Sequence, residues 1–210
     1  MSKKTKQRIA FNLMVVVALS IGLIILLRTD LRGAGGQGQQ KVIDKARTEN
    51  EVVQFSEIKV SQKAVEPGKA FDNDDEEWAG KFFLKVKNVS DKPIVYLKVF
   101  VNFPESRATG AMMSYPIVLG QMPGSKFPQF HDPIFLLPGE SLEIPVAQNH
   151  EKMKSFVEQG KLPLRNIHKV ELEVAFVVFA DKIGWSAGIF KRQNPNNPDR
   201  YDPIPSGARQ

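Results

Sequence analysis

Nineteen consecutive residues without a charge, IAFNLMVVVALSIGLIILL at positions 9–27, constrain this chain more than any other feature. As a helix rising about 1.5 Å per residue, such a run covers roughly the 30 Å hydrocarbon core of a bilayer, in which every backbone polar group must be satisfied within the segment itself. The run has no polar face, and Lys3, Lys4, Lys6, Arg8 and Arg28 flank it, which predicts a transmembrane helix and not a helix of a soluble core. A cleavable signal peptide has a shorter apolar stretch followed by small residues. Here the run leads into Arg28-Thr29-Asp30-Leu31-Arg32, so the segment is expected to stay as a signal-anchor. Positive charge crowded into residues 1–8 keeps that basic tail in the cytoplasm and sends the rest of the chain across.

The formal net charge of +6 raises the question of nucleic acid, and its distribution answers it. Residues 1–50 hold nine Lys/Arg against three Asp/Glu, whereas the remainder holds twenty of each, so no basic face is expected on the globular part. The chain has no cysteine. An exported domain must then stand on its hydrophobic core without disulfides, which suits the envelope of a bacterium and points to its inner membrane, crossed once.

Residues 28–50 lack hydrophobic periodicity and contain GAGGQGQQ, which offers no side chains to bury, so they read as a flexible linker. Gly33, Gly35 and Gly38 match G-x-G-x-x-G, but a dinucleotide-binding turn needs a strand before it and a helix after it. This tract has neither, and no cofactor is expected.

From residue 51 the apolar period becomes two. In 93–103, PIVYLKVFVNF, the residues Val95, Leu97, Val99, Val101 and Phe103 form one face of a strand. Upstream, Phe82, Leu84 and Val86 do the same, and 88–93 supplies turn chemistry, so the two strands are expected to pair as an antiparallel hairpin. A further strand follows Pro138-Gly139, with Leu142, Ile144 and Val146 on one face. The longest covers 167–179, with Val170, Leu172, Val174, Phe176 and Val178 inward. One short crossover helix is expected from Asn149 as N-cap to Gly160, with Met153, Phe156 and Val157 on its apolar face. Two sheets, each apolar on one side, must bury those sides together, which predicts an all-β, immunoglobulin-like or fibronectin-like antiparallel β-sandwich over 51–192. Residues 193–210, with Pro195, Pro198, Pro203 and Pro205, read as an extended Pro-rich tail.

Three segments, FFLKVKNVSDKP (82–93), LPGE (137–140) and FADKIGWSAGIFKRQNPNNP (179–198), carry a resemblance. They look like signatures of uncharacterised exported or membrane-anchored bacterial proteins in which an F-x-VKN-x-S-x-KPI hairpin and a C-terminal W-x-x-G-x-x-x-R-x-x-P hairpin bracket an immunoglobulin-like domain. The resemblance implies the architecture and no catalytic, metal-binding or cofactor-binding residue.

The residues that could carry chemistry have plainer explanations. Asp72-Asn73-Asp74-Asp75-Glu76-Glu77 is dense in oxygen ligands, yet in an EF-hand frame starting at Asp72 the sixth position is Glu77 instead of Gly and the twelfth is Phe83 instead of Glu, so a solvated acidic loop is expected. His131, His150 and His168 stand singly and make no zinc set, and Asp132 beside His131 reads as loop polarity. Asn88-Val89-Ser90 fits a glycosylation sequon but reads as the hairpin turn. Residues 103–138, rich in proline and apolar residues, are either a recognition loop or an extra strand, YPIVL (115–119), with a cover for a sheet edge.

These readings predict no enzyme and no catalytic residue. They predict a membrane-anchored binding, scaffolding or accessory subunit with a protein partner, and no nucleic-acid partner. The alternative, a surface-displayed carbohydrate-binding or hydrolytic domain, requires Trp78, Tyr115 and Trp185 to form an exposed platform.

Overall fold

A computed structural model describes residues 40–126 and 131–205. The expected basic tail, the transmembrane helix at 9–27 and the linker up to residue 39 lie outside the described residues, as do 127–130 and 206–210. No helix among the described residues is long and apolar enough to cross a membrane.

Two-residue periodicity builds two sheets. The smaller contains β2 (Val53–Val60), β3 (Lys63–Ala64), β5 (Phe83–Asn88) and β8 (Ser141–Ile144) in the order β3-β2-β5-β8. The larger contains β1 (Gln40–Lys45), β4 (Ala70–Asp72), β6 (Ile94–Phe103), β7 (Met113–Gly120), β9 (Lys169–Phe179), β10 (Ile183–Ser186), β11 (Ile189–Asn194) and β12 (Asn197–Pro203). Its centre is the antiparallel pair β6–β9, with β7 on the far side of β6. The other edge of β9 is shared: β1 lies parallel to its first half, from Lys169 to Leu172, and β10 lies antiparallel to its end. The fold is thus a mostly β structure compatible with an all-β sandwich, with one α-helix, α1 (His150–Gln159), among the described residues.

The core lies between the sheets. Leu84 and Val86 from β5 meet Leu97, Val99, Val101 and Phe103 from β6, all at 0% exposure. Burying each such side chain is worth about 1.5–3 kcal/mol, which is the main source of stability in a domain without disulfides. Trp78 closes one side of this core. Its ring sits edge-on to Phe71 at 5.4 Å, and its indole N–H donates to the Ile167 carbonyl at 2.9 Å. On α1, Met153 and Val157 are buried and Phe156 is half-buried, as the i, i+3, i+4 spacing requires. Asn149 does not cap the helix with its side chain; its amide donates instead to the Pro145 carbonyl at 2.8 Å.

Three expectations are corrected. First, β5 and β6 do not pair. Each alternates apolar residues toward the same core, and that pattern fits two strands facing each other across a sandwich as well as two strands side by side. The turn at 88–93 therefore crosses from one sheet to the other. Second, the boundaries move outward: Gln40–Lys45 is a strand of the larger sheet and not linker, and Asn197–Pro203, within the expected extended tail, is a strand that pairs with β11. Third, β9 changes face partway. A register irregularity lies between Lys98 and Val99 of β6, where Val99 pairs with Val174 but Lys98 pairs with Phe176. The extra residue reverses the alternation, so Val177 and Phe179 complete the core while Phe176 and Val178 turn to the outer face.

That outer face has its own apolar cluster. Phe176 meets Tyr96 edge-on at 6.2 Å and Tyr201 at 5.1 Å, and Val178 opposite Tyr96 is fully buried without joining the main core. A Cβ on Gly184 would fall 2.8 Å from the Tyr201 ring and 3.0 Å from the Phe176 ring, so the bare glycine leaves room for the Tyr201 ring of β12 to lie against Phe176 of β9. Residues 121–126 reach across to latch the hairpin: the Gln193 amide donates to the carbonyls of Pro123 and Pro198, and the Ser125 hydroxyl donates to Asp199.

Candidate interaction surface

The acidic loop is organised by its own side chains and by lysines. Asn73 accepts the Asp75 N–H and Asp75 accepts the Glu77 N–H, both at 2.8 Å. Glu77 then meets Lys154 at 2.6 Å, His150 at 3.1 Å and Lys81 at 3.3 Å. Hydrogen bonds from Lys154 and then Lys81 hold its carboxyl down at about 2, against burial. Lys81 also reaches Asp75 at 3.2 Å. The loop thus ties α1 to the turn at Trp78–Gly80. No group of three or more His, Asp or Glu side chains among the described residues is arranged to hold a metal ion.

The histidines lie in three separate places. His131 and Asp132 are exposed, His150 rests on Glu77, and the Nδ1 atom of His168 lies 3.4 Å from Lys41 Nζ. Trp78 and Trp185 are each 1% exposed and Tyr115 is 9% exposed, so these three rings form core contacts and not a platform. Residues 113–120 are strand β7, and the stretch from 103 to 138 is in part strand, as one of its two readings expected.

Asn88 is the hub of a different feature. It is fully buried, and its side-chain NH2 donates to the carbonyls of Lys92 and Leu136, both at 2.9 Å. Its side-chain oxygen accepts the Ser90 N–H at 3.0 Å and the Ser90 hydroxyl at 2.7 Å. Both donors of the amide are thereby used inside the fold, so Asn88 acts as a structural bridge and the sequon geometry is that of a turn. The bridge joins the 88–93 turn to the 134–140 segment. Leu136 and Ile94 exchange two backbone hydrogen bonds of 2.9 Å, Asn88 N–H donates to Glu140 O, and Gly139 N–H donates to Asn88 O.

With Leu136 buried at 5%, its two neighbours must point the other way. Phe135 is 62% exposed and Leu137 44%, and Val89, next to the hub, is 39% exposed. They are three of the four large exposed hydrophobic residues among those described. Fixed backbone holds all of them, and the Glu140 carboxylate further accepts the Leu137 N–H at 2.8 Å. Charged residues flank this pole. Lys92 pairs with Asp181 at 2.7 Å, where burial works to raise the Asp181 carboxyl and the bonds from Lys92 and the Ile183 N–H outweigh it, leaving its pKa below the usual value. Apolar knobs on rigid backbone with a charged rim are what a protein-binding patch presents. Phe135 and Leu137 fall within the 103–138 stretch that one sequence reading took for a recognition loop, although neither stood out singly there. The available signal was the apolar run of four, Ile134 to Leu137, outside any strand pattern and immediately before Pro138-Gly139.

No known protein family, curated protein or solved structure matches this chain.

Proposed function

We propose that the chain is a single-pass anchor of a bacterial inner membrane whose extracytoplasmic, immunoglobulin-like β-sandwich acts as a binding or scaffolding subunit of an envelope complex. The apolar run at 9–27, with positive charge ahead of it, supports the anchor and its orientation. The strand order supports the immunoglobulin-like assignment: β2-β5-β8 in one sheet faces β7-β6-β9-β10 in the other, with sheet-crossing connections between β5 and β6 and, through α1, between β8 and β9. The observation that carries the binding role is the trio Val89, Phe135 and Leu137, exposed on backbone that Asn88 pins from inside. Rigid presentation lowers the entropy lost on association. The alternative carbohydrate reading loses its support with both tryptophans in the core.

The test is a photo-crosslinking residue placed at Phe135 or Leu137 of the full chain in intact cells, with the exposed Lys69, just before β4, as control. A discrete adduct with an envelope protein is expected from the first two positions and not from the third. Equal labelling at all three, or none at 135 and 137, rejects this surface.

A further inference from the structure

The outer face of the larger sheet carries a polar site of its own, at the opposite end of β6 from the Ile94 that pairs with Leu136. In β6 the side chains of Leu97, Val99, Val101 and Phe103 point inward, so Asn102 points outward. Its register neighbours on either side are Ser114 of β7 and Glu171 of β9, and Glu173 follows two residues along β9 on the same face. Three adjacent strands thereby bring an amide, a hydroxyl and two carboxylates together.

Asn102 is fully buried although it faces outward. Its side-chain NH2 donates to Glu173 Oε2 at 3.1 Å, whereas its Oδ1 atom is buried without a hydrogen-bond partner among the described residues. Burying an amide oxygen without a partner is costly, so this atom calls for one. The carboxylates are short of cations as well. Lys169 is taken by Asp44 at 3.0 Å, and Lys98 lies 4.9 Å from the centre of the Phe100 ring. No Lys or Arg among the described residues pairs with Glu171 or Glu173, and Asp44 stands opposite Glu171 in the sheet, which adds like charge.

The chemistry of the donors narrows the ligand. All of them are hard oxygens, with no imidazole or thiolate, which selects a cation of the Ca²⁺ class over zinc. Only two carry charge, and their spread over three strands leaves room for water, which suits the adaptable coordination sphere of Ca²⁺ better than the tight octahedron of Mg²⁺. The acidic loop differs, because lysines already engage its Asp75 and Glu77.

We propose that Asn102, Glu171 and Glu173, with Ser114 beside them, form a binding site for a divalent cation of the Ca²⁺ class. The cation supplies the missing partner of Asn102 Oδ1, and the bond from the Asn102 NH2 holds Glu173 at the site. Two charged ligands place the affinity on the order of 10⁻⁴–10⁻³ M, as in extracellular modules. The test is a Ca²⁺ titration of the full-length chain in nanodiscs of zwitterionic lipid, read by calorimetry and by thermal melting, with empty nanodiscs as blank. Saturable binding of one Ca²⁺ per chain and a melting temperature that rises with Ca²⁺ are expected. Glu171→Gln and Glu173→Gln keep the shape and remove the charge, so each is expected to weaken Ca²⁺ binding by about tenfold or more, with a melting temperature in chelator no lower than that of the native chain. The double variant Asp72→Asn with Asp74→Asn, in the exposed part of the acidic loop, is expected to leave the titration unchanged. Absence of saturable binding, equal affinity for Mg²⁺, binding indifferent to both Gln variants, or binding lost in the loop variant overturns the proposal.

Discussion

The two faces of the larger sheet solve the same burial problem differently. On the inner face Leu97, Val99, Val101 and Phe103 pack at 0% exposure against the second sheet, with no polar atom to satisfy. On the outer face Tyr96, Phe176, Val178 and Tyr201 form a smaller cluster covered by a hairpin, a loop and a set of side-chain hydrogen bonds. The cover is imperfect: the Tyr201 hydroxyl is buried without a hydrogen-bond partner among the described residues. Burial first, and then the charge of Asp199, raise that phenol to about 12. Where a whole sheet supplies the cover, apolar surface alone suffices. Where a hairpin supplies it, polar latches and bare glycines are needed as well.

The largest expected effect separates the two faces directly. Val99→Asp places an unpaired carboxylate in the inner core at a cost of several kcal/mol, against a total stability of about 5–15 kcal/mol. Lys98→Asp, one residue away, loses a contact 4.9 Å above the Phe100 ring and is expected to cost about 1 kcal/mol. Urea melts of both variants check this, and equal losses would erase the distinction between the faces.

A middle effect is expected at Gly120, where β7 gives way to the loop that covers the outer face. Its φ is +78°, and a Cβ there would lie 2.2 Å from the Val95 carbonyl oxygen and 2.6 Å from the Ile134 side chain. Gly120→Ala is expected to cost about 2 kcal/mol or more. Hydrogen exchange should accelerate at residues 121–126 and in β11 and β12 before it does in β6. Uniform acceleration would show that the outer cover is not a separable unit.

The smallest expected effect is at Tyr201. Its hydroxyl hydrogen bonds to water when the chain is unfolded and has no partner among the described residues when it is folded, so Tyr201→Phe is expected to be neutral or stabilising by up to about 1 kcal/mol. The pH dependence sharpens this. The folded pKa of about 12 lies above the unfolded value of 10.0, so the protonated phenol is favoured by folding. Its contribution is complete below pH 10 and is lost as pH rises from there toward 12. Urea midpoints measured on both sides of that window should fall further for the native chain than for Tyr201→Phe, and parallel falls would place the hydroxyl in contact with water.

Strand existence and facing were largely legible in the sequence. The alternation in 93–103 put Val95, Leu97, Val99, Val101 and Phe103 inward; the last four are in the core, but the irregularity between Ile94 and Tyr96 puts Ile94 there in place of Val95, while the spacing of Met153 and Val157 marked the helix and Asn88 with Ser90 marked a turn. The exposed pole was legible only as part of the 103–138 stretch, one reading of which was a recognition loop. Phe135 and Leu137 look like core residues by type, and their exposure follows from Asn88 reaching 48 residues along the chain to hold Leu136.

By itself, then, the sequence determined the strands around 82–86, 93–103, 142–146 and 167–179, the apolar side of most of their residues, and that residues 9–27 suit a bilayer, because these properties are periodic and local. Tertiary structure decided that β5 and β6 face each other instead of pairing, that β9 turns over near Ala175, and that residues 40–45 and 197–203 belong to the sheet. Each of these depends on which distant edge offers free N–H and C=O groups, and side-chain alternation within one strand carries no record of its neighbour.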